Sequence, residues 1–217
     1  MKRRYKLRKG TKAVIIILCL SVIAFVFYRI PAINRSINGV LNIPTKNVKI
    51  ALEAKTPSWI EEDFIHIHSS SRTGRQLSDI KSIVIHYVGN PNSTAKNNRD
   101  YFDKESTTVS SHFVVRLEGE IIQCLPLYER SAASNHRNSD TISIEVCHPD
   151  ESGKYNDATY ASVVKLSAWL CNKFSLNESG IIRHYDVTGK LCPKYYVENE
   201  DEWLALKRDI IAAKDDE

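Results

Sequence analysis

No acidic residue occurs in the first 29 positions of the chain, no two cysteines stand in a CxxC pair, and no internal repeat runs through its 217 residues. The missing repeat excludes a solenoid or array. Five scattered cysteines without paired spacing give only a weak signal for a disulfide framework. The missing acids make the charge balance misleading. Eight of the 30 Lys and Arg lie within residues 1–29, which leaves 22 against 26 Asp and Glu in the remainder, a net of −4. The rest of the chain therefore has no basic footprint for nucleic acid, and none is expected as a partner. With 42% hydrophobic residues the chain can bury a proper core, so full disorder is excluded.

The N-terminus is a basic head, residues 1–12 (MKRRYKLRKGTK), followed by the apolar run AVIIILCLSVIAFVFY, Ala13 to Tyr28. As a helix those 16 residues are about 24 Å long, against a hydrocarbon core of about 30 Å. Lys12 and Arg29 can snorkel and Ile30 extends the run, so residues 13–30 are expected to span a membrane once. Seven cations precede the run, which predicts a cytoplasmic N-terminus, localisation at the cell membrane and an extracellular remainder. The rival is secretion after signal cleavage near Val22 and Ala24. Residues 31–71 read as linker and lead-in, and residues 72–214 as the functional domain.

Within that domain the hydrophobic period alternates. SIVIHYV (82–88) is apolar enough to be a strand buried on both faces, and TAKNNRDYFDK suggests a helix capped by Asn92 or Ser93. SHFVVRL and EIIQCLP flank Glu118-Gly119 as a hairpin, and TISIEVC (141–147) is another strand. A long helix follows in which Val163, Leu166, Leu170 and Phe174 share a face; then come IIRHY, a polar turn, and EDEWLALKRDIIAAK as a closing helix. The expected fold class is α/β, a mixed central sheet flanked by helices and preceded by the transmembrane helix.

Three residues stand out chemically. His86 lies inside an apolar strand, His184 ends another, and Cys192 follows eight residues later. Taken singly, each histidine reads as a satisfied core residue and the cysteine as a small buried hydrophobe. Together they supply two nitrogens and a sulfur, leaving the fourth tetrahedral position of Zn²⁺ open, as in catalytic zinc sites. Zinc so held makes hydroxide available at neutral pH.

HYDVTGKLCP resembles the second half of the zinc site in the N-acetylmuramoyl-L-alanine amidase family, and SIVIHYVGNP resembles the first half. The likeness continues in order through NNRDYF, SSHFVV, GEIIQCLPL and SNHRNSDTISIEV. The resemblance implies an amidase and peptidoglycan-recognition fold, with His86, His184 and Cys192 as metal ligands. It makes Lys190 an oxyanion-stabilising cation and Glu145 the general base. It also implies a substrate-lining role for His136 and a role for His112 in lining the site or supporting it from behind, with Asn138 and Arg137 as weaker substrate-binding candidates. One departure is Ser111, where a phage member of the family carries a functional tyrosine, which raises the weight on Glu145. His66 and His68 read as surface residues, Trp169 as core, and Cys147 as packing beside the site.

The resemblance thus implies a membrane-anchored, monomeric zinc enzyme that cleaves the bond between N-acetylmuramic acid and L-alanine in peptidoglycan. Two alternatives are a non-catalytic peptidoglycan-binding protein on the same fold, which Cys192 argues against, and a cell-wall cysteine peptidase using Cys192 or Cys147. The charge asymmetry around residues 13–30 predicts that a reporter fused after Glu217 works only outside the cytoplasm; activity confined to the cytoplasm would overturn that topology.

Overall fold

A computed structural model describes residues 43–67 and 70–215. The expected basic head and transmembrane segment lie outside these residues, as does His68. Among the described residues no helix is long and apolar enough to cross a membrane.

Pro44–Glu217 form one compact unit, so structure begins well before residue 72. Helix α1 (Lys46–Glu53) opens it, capped by the Thr45 hydroxyl, which accepts from the Val48 N–H. The same hydroxyl donates to Asp79 Oδ1 at 2.8 Å, and Asn47 Nδ2 donates to the carbonyl of Ile80 at 2.8 Å. These bonds, with Val48 and Ala51 buried, tie α1 to the main core. Strand β1 (Ile60–Glu62) then joins the sheet edge. The linker expectation for residues 31–71 is therefore corrected over its second part. Short apolar bursts between polar residues looked like a tether because each contributes only one or two side chains to a core assembled elsewhere.

The sheet also contains β2 (Ser82–Ile85), β3 (Phe113–Val115), β4 (Ile121–Gln123), β5 (Thr141–Val146) and β6 (Ile181–Arg183), in the order β1-β4-β3-β5-β2-β6. Only β3 and β4, the expected hairpin, pair antiparallel; the other pairings are parallel, so the sheet is mixed. Because strand side chains alternate between faces, each strand divides its apolar residues between two layers. On one face Ile83, Ile85, Phe113, Val115, Ile142, Ile144 and Val146 pack with helices α1, α3 (Asp157–Phe174) and α6 (Glu200–Asp215). Val163, Leu166, Leu170 and Phe174 of α3 face inward together as the spacing required, and Trp169 packs at the core's edge against Phe113. On the other face Val114, Ile122, Cys124 and Cys147 pack with Ala95 and Phe102 of helix α2 (Ala95–Phe102). Thr94, rather than Asn92 or Ser93, caps α2, through a capping box with Asn97.

Because α1 belongs to the core, Val48→Ala, which removes two methyl groups from a fully buried site, should cost about 2 kcal/mol in urea unfolding. A tether residue would change stability by less than about 0.5 kcal/mol, and that outcome would refute the assignment.

Candidate active site

Parity along the strands builds the site. Ile85 pairs with Ile144 across the parallel β2 and β5, so the next residues, His86 and Glu145, are lateral neighbours on the face that carries α2. The His86 N–H continues the ladder to the carbonyl of Ile144 at 2.9 Å, and the buried Tyr155 hydroxyl donates to the His86 carbonyl at 3.0 Å. His86 is therefore fixed at its backbone before any ligand arrives.

His184 does not end a strand; it begins the short helix α4 (His184–Thr188). Arg183, just before it, is buried and ties this corner to Asp186, Glu200 and the Tyr196 carbonyl. Gly189 ends α4 at φ 76°, a left-handed conformation that a side chain would disfavour, and the chain reverses. The Tyr185 N–H then meets the Cys192 carbonyl at 2.9 Å, which brings Cys192 back beside His184. Helix α5 (Lys194–Glu198) follows directly.

The ligating atoms of His86, His184 and Cys192 all lie within 4.8 Å of one another, and all three residues are buried. Cys192 Sγ is 3.8 Å from His86 Nδ1, close to the roughly 3.6 Å expected between nitrogen and sulfur on one tetrahedral zinc. The outer ring nitrogens are taken up by a single loop. His86 Nε2 is 3.4 Å from Ser134 Oγ, and His184 Nε2 is 2.8 Å from Asn135 Oδ1. An amide oxygen only accepts, so His184 carries its proton on Nε2 and turns the Nδ1 lone pair inward. Asn135 adopts φ 52° to reach it, and Asn138 Oδ1 holds this loop by accepting from the N–H groups of Ala133 and Ser134.

Glu145 Oε1 lies 3.8 Å from His86 Nδ1, while Oε2 is buried with no hydrogen-bond partner. Burial pushes its carboxyl up to about 8, with the Lys190 ammonium pulling it back. A cation among the three ligands would favour the ionised form and supply what the orphaned oxygen lacks. Burial also holds both histidines below the ordinary imidazole value, with Lys190 adding to the effect, so they are neutral donors. The Cys192 thiol is pushed up to about 12 by burial and the Glu145 charge, although the Tyr87 N–H acts the other way. The donor set, its spacing and the orphaned carboxylate oxygen all fit zinc.

His86, His184, Cys192, Glu145 and Lys190 all line a cleft of about 1240 Å³. Asn138 also lines it, but its side-chain oxygen is spent on the loop. Two expectations are corrected. His112 is fully buried outside the cleft; its Nε2 donates to the Glu129 carbonyl at 2.9 Å and its Nδ1 accepts from the Ser143 N–H at 3.1 Å. With both nitrogens used, and burial holding its pKa at about 4, it is a neutral packing residue. His136 is exposed on the 3-10 turn Asn135–Arg137, and its neighbour Asn135 points to the metal centre in its place. Ser111 is fully buried against Ser143 and provides no substitute for a tyrosine. Arg137 pairs with Asp140 instead of entering the cleft. His66 is a surface residue paired with Asp103, as expected. Ser134 and Asn135 were not legible as metal-orienting residues, since nothing in their spacing ties them to histidines 48 and 49 positions away.

A mixed sheet with a His-His-Cys cluster lining a cleft defines a candidate metal site on an α/β domain, and comparison with known proteins is specific about its class. The N-acetylmuramoyl-L-alanine amidase domain family matches residues 76–195. The chain belongs to that family. It is 28% identical over 169 residues to the N-acetylmuramoyl-L-alanine amidase CwlL of Bacillus licheniformis, covering 70% of this chain and 46% of that one. It is 30% identical over 176 residues to the N-acetylmuramoyl-L-alanine amidase BlyA of Bacillus subtilis (strain 168), covering 71% and 47%. The chain thus spans about half the length of these relatives. The solved catalytic domain of XlyA superposes with a TM-score of 0.62 at 26% identity, covering 70% of this chain and 98% of that domain.

Because Asn135 fixes the orientation of His184, Asn135→Ala should fold normally but bind zinc about 10- to 100-fold more weakly in chelator competition. An unchanged affinity would remove Asn135 from the centre.

Proposed function

We propose that this chain is a zinc amidase that hydrolyses the amide between the lactyl group of N-acetylmuramic acid and L-alanine in peptidoglycan. The observation that carries the reading is the convergence of His86, His184 and Cys192 within 4.8 Å beside a carboxylate whose Oε2 lacks a partner. Held by these three residues, zinc would supply Lewis-acid polarisation of the scissile carbonyl and acidify the attacking water.

The rest is done by the chain's own residues. Glu145 sits on β5, so its carboxylate is held by a rigid element next to the point of attack. It takes a proton from water at a carboxylate oxygen and passes it to the departing alanine nitrogen, which leaves as an amine. Lys190, exposed at the cleft and near enough to shift the neighbouring groups, opposes the negative charge that develops on the carbonyl oxygen. The same geometry disfavours a cysteine peptidase. Burial pushes the Cys147 thiol up to about 12, where a nucleophile needs a thiolate, and Cys192 would be occupied as a metal ligand. A non-catalytic binder would have no need of a base beside a full ligand set.

The proposal includes the N-terminal segment as a single-pass anchor, with a monomeric catalytic unit outside the membrane and peptidoglycan as its partner. It rests on the cations that precede Ala13 and the uncharged run that follows.

Glu145→Gln keeps the shape but removes the base, so it should remain folded, retain zinc, bind peptidoglycan and lose about 10²- to 10⁴-fold in release of L-alanine amino termini. A destabilised variant with full activity per folded molecule would assign Glu145 to structure instead.

A further inference from the structure

The cleft extends well beyond the metal centre, and its charge is uneven. The ligands come from β2, from α4 after β6 and from the turn that follows, whereas the other end is lined by Asn97, Tyr101 and Lys104 at the outer side of α2. These three are spaced four and three residues apart, so they form one stripe along α2 and its C-terminal turn. Tyr101 is 49% exposed despite its size, and the Lys104 ammonium lies 5.7 Å from its ring centre.

Apart from Glu145 at the metal end, the charged residues lining the cleft are Lys104 and Lys190. Nearby acids are committed to other cations. Asp100 pairs with Lys96, while Asp103 pairs with Arg99 and His66, and Asp63 with Arg99. Glu105 adjoins Lys104 in sequence but does not line the cleft. Among the described residues no carboxylate pairs with the Lys104 ammonium. An unneutralised lysine over a half-exposed tyrosine, in a cleft without a local acid, suits an anionic group carried on an apolar or peptide backbone.

The sheet sets its distance from the chemistry. Helix α2 packs over β3 and β4, which are two and three strands from β2, or about 10–15 Å at the usual strand spacing. An extended peptide advances at most about 3.3–3.6 Å per residue, and a lysine side chain spans part of the gap. A chain whose first amide lies at the metal centre therefore brings its second or third residue within reach of Lys104.

We propose that Lys104, seated on Tyr101, reads a free carboxylate on the second or third residue of the stem peptide and so sets which peptidoglycan the enzyme prefers. The inference rests on the amidase function proposed above. Two sources offer the same chemistry: the backbone carboxylate of a γ-linked glutamate at the second position, free or amidated, and the side-chain carboxylate of a diaminopimelate at the third, absent when lysine stands there.

The test uses the zinc-loaded full chain and four muropeptides that combine free or amidated glutamate with diaminopimelate or lysine. Wild-type enzyme should favour one carboxylate over its neutral counterpart by about tenfold in kcat/KM, the scale of one charge-assisted hydrogen bond. Lys104→Gln should collapse that ratio towards one mainly by raising KM for the preferred substrate; Lys104→Arg should preserve it, and Lys104→Glu should invert it. The substrate pair whose ratio collapses identifies the carboxylate. Equal KM changes on all four substrates, or no change on any, would overturn the role of Lys104 while leaving the amidase reading intact. Wild-type enzyme that releases no L-alanine amino terminus from any of the four would overturn both.

Discussion

The register between β2 and β5 is the constraint on which the site depends. With Ile85 opposite Ile144, the alternation of a strand sends Ile83, Ile85, Ile142 and Ile144 into the helix-covered core and sends His86 and Glu145 side by side to the opposite face. A one-residue slip of either strand would turn its polar group into the isoleucine layer, turn its isoleucines to the other face, and separate His86 from Glu145. The apolar packing that stabilises the sheet is thus the same thing that aims His86 and Glu145. Burial does the rest, since a carboxylate and two imidazoles held in a protected layer are costly unless something charged or hydrogen-bonding meets them.

The loop that follows β4 meets that demand for the two imidazoles. Ser134 and Asn135 engage the outer nitrogens of both histidines, and Asn138 ties the same loop to itself. Two histidines far apart in sequence are thereby oriented by adjacent residues, so movement of one loop would disturb both. His112 has a different part in this region: it links Ser143 of β5 to the Glu129 carbonyl, and Arg72 pairs with the Glu129 side chain through two short contacts. The polar layer beneath the loop is a scaffold, and the cleft above it is the working surface.

Electrostatically the cleft divides into two regions. At the end near His86 and His184, the Lys190 charge lies close enough to lower the pKa of Glu145 and of both histidines, although burial is the larger influence on all three. At the α2 end the acids are consumed by Arg99, Lys96 and His66, and a lysine is left facing the open space. Both groups of residues line one cleft, which suits the substrate proposed above, a chain cut at one point and identified at another.

The sequence by itself determined the mixed α/β class, the hairpin, the inward stripe of α3 and the candidacy of His86, Glu145, His184, Lys190 and Cys192. The fold elements follow from local periodicity, and His86, His184 and Cys192 from polar residues that interrupt apolar runs, whereas Glu145 and Lys190 were singled out by the resemblance of their motifs to the amidase family. Only the tertiary structure decided that residues from 44 onward join the core, that His112 is a packing residue, that His136 is exposed outside the cleft lining, that Ser134 and Asn135 meet the two histidines, and that Lys104 lines the cleft. The reason is physical. Whether a histidine meets substrate or a carbonyl depends on which side of a loop it leaves, and whether a lysine is neutralised depends on acids brought near it by folding. Sequence spacing carries neither, because both are properties of neighbours that are distant along the chain.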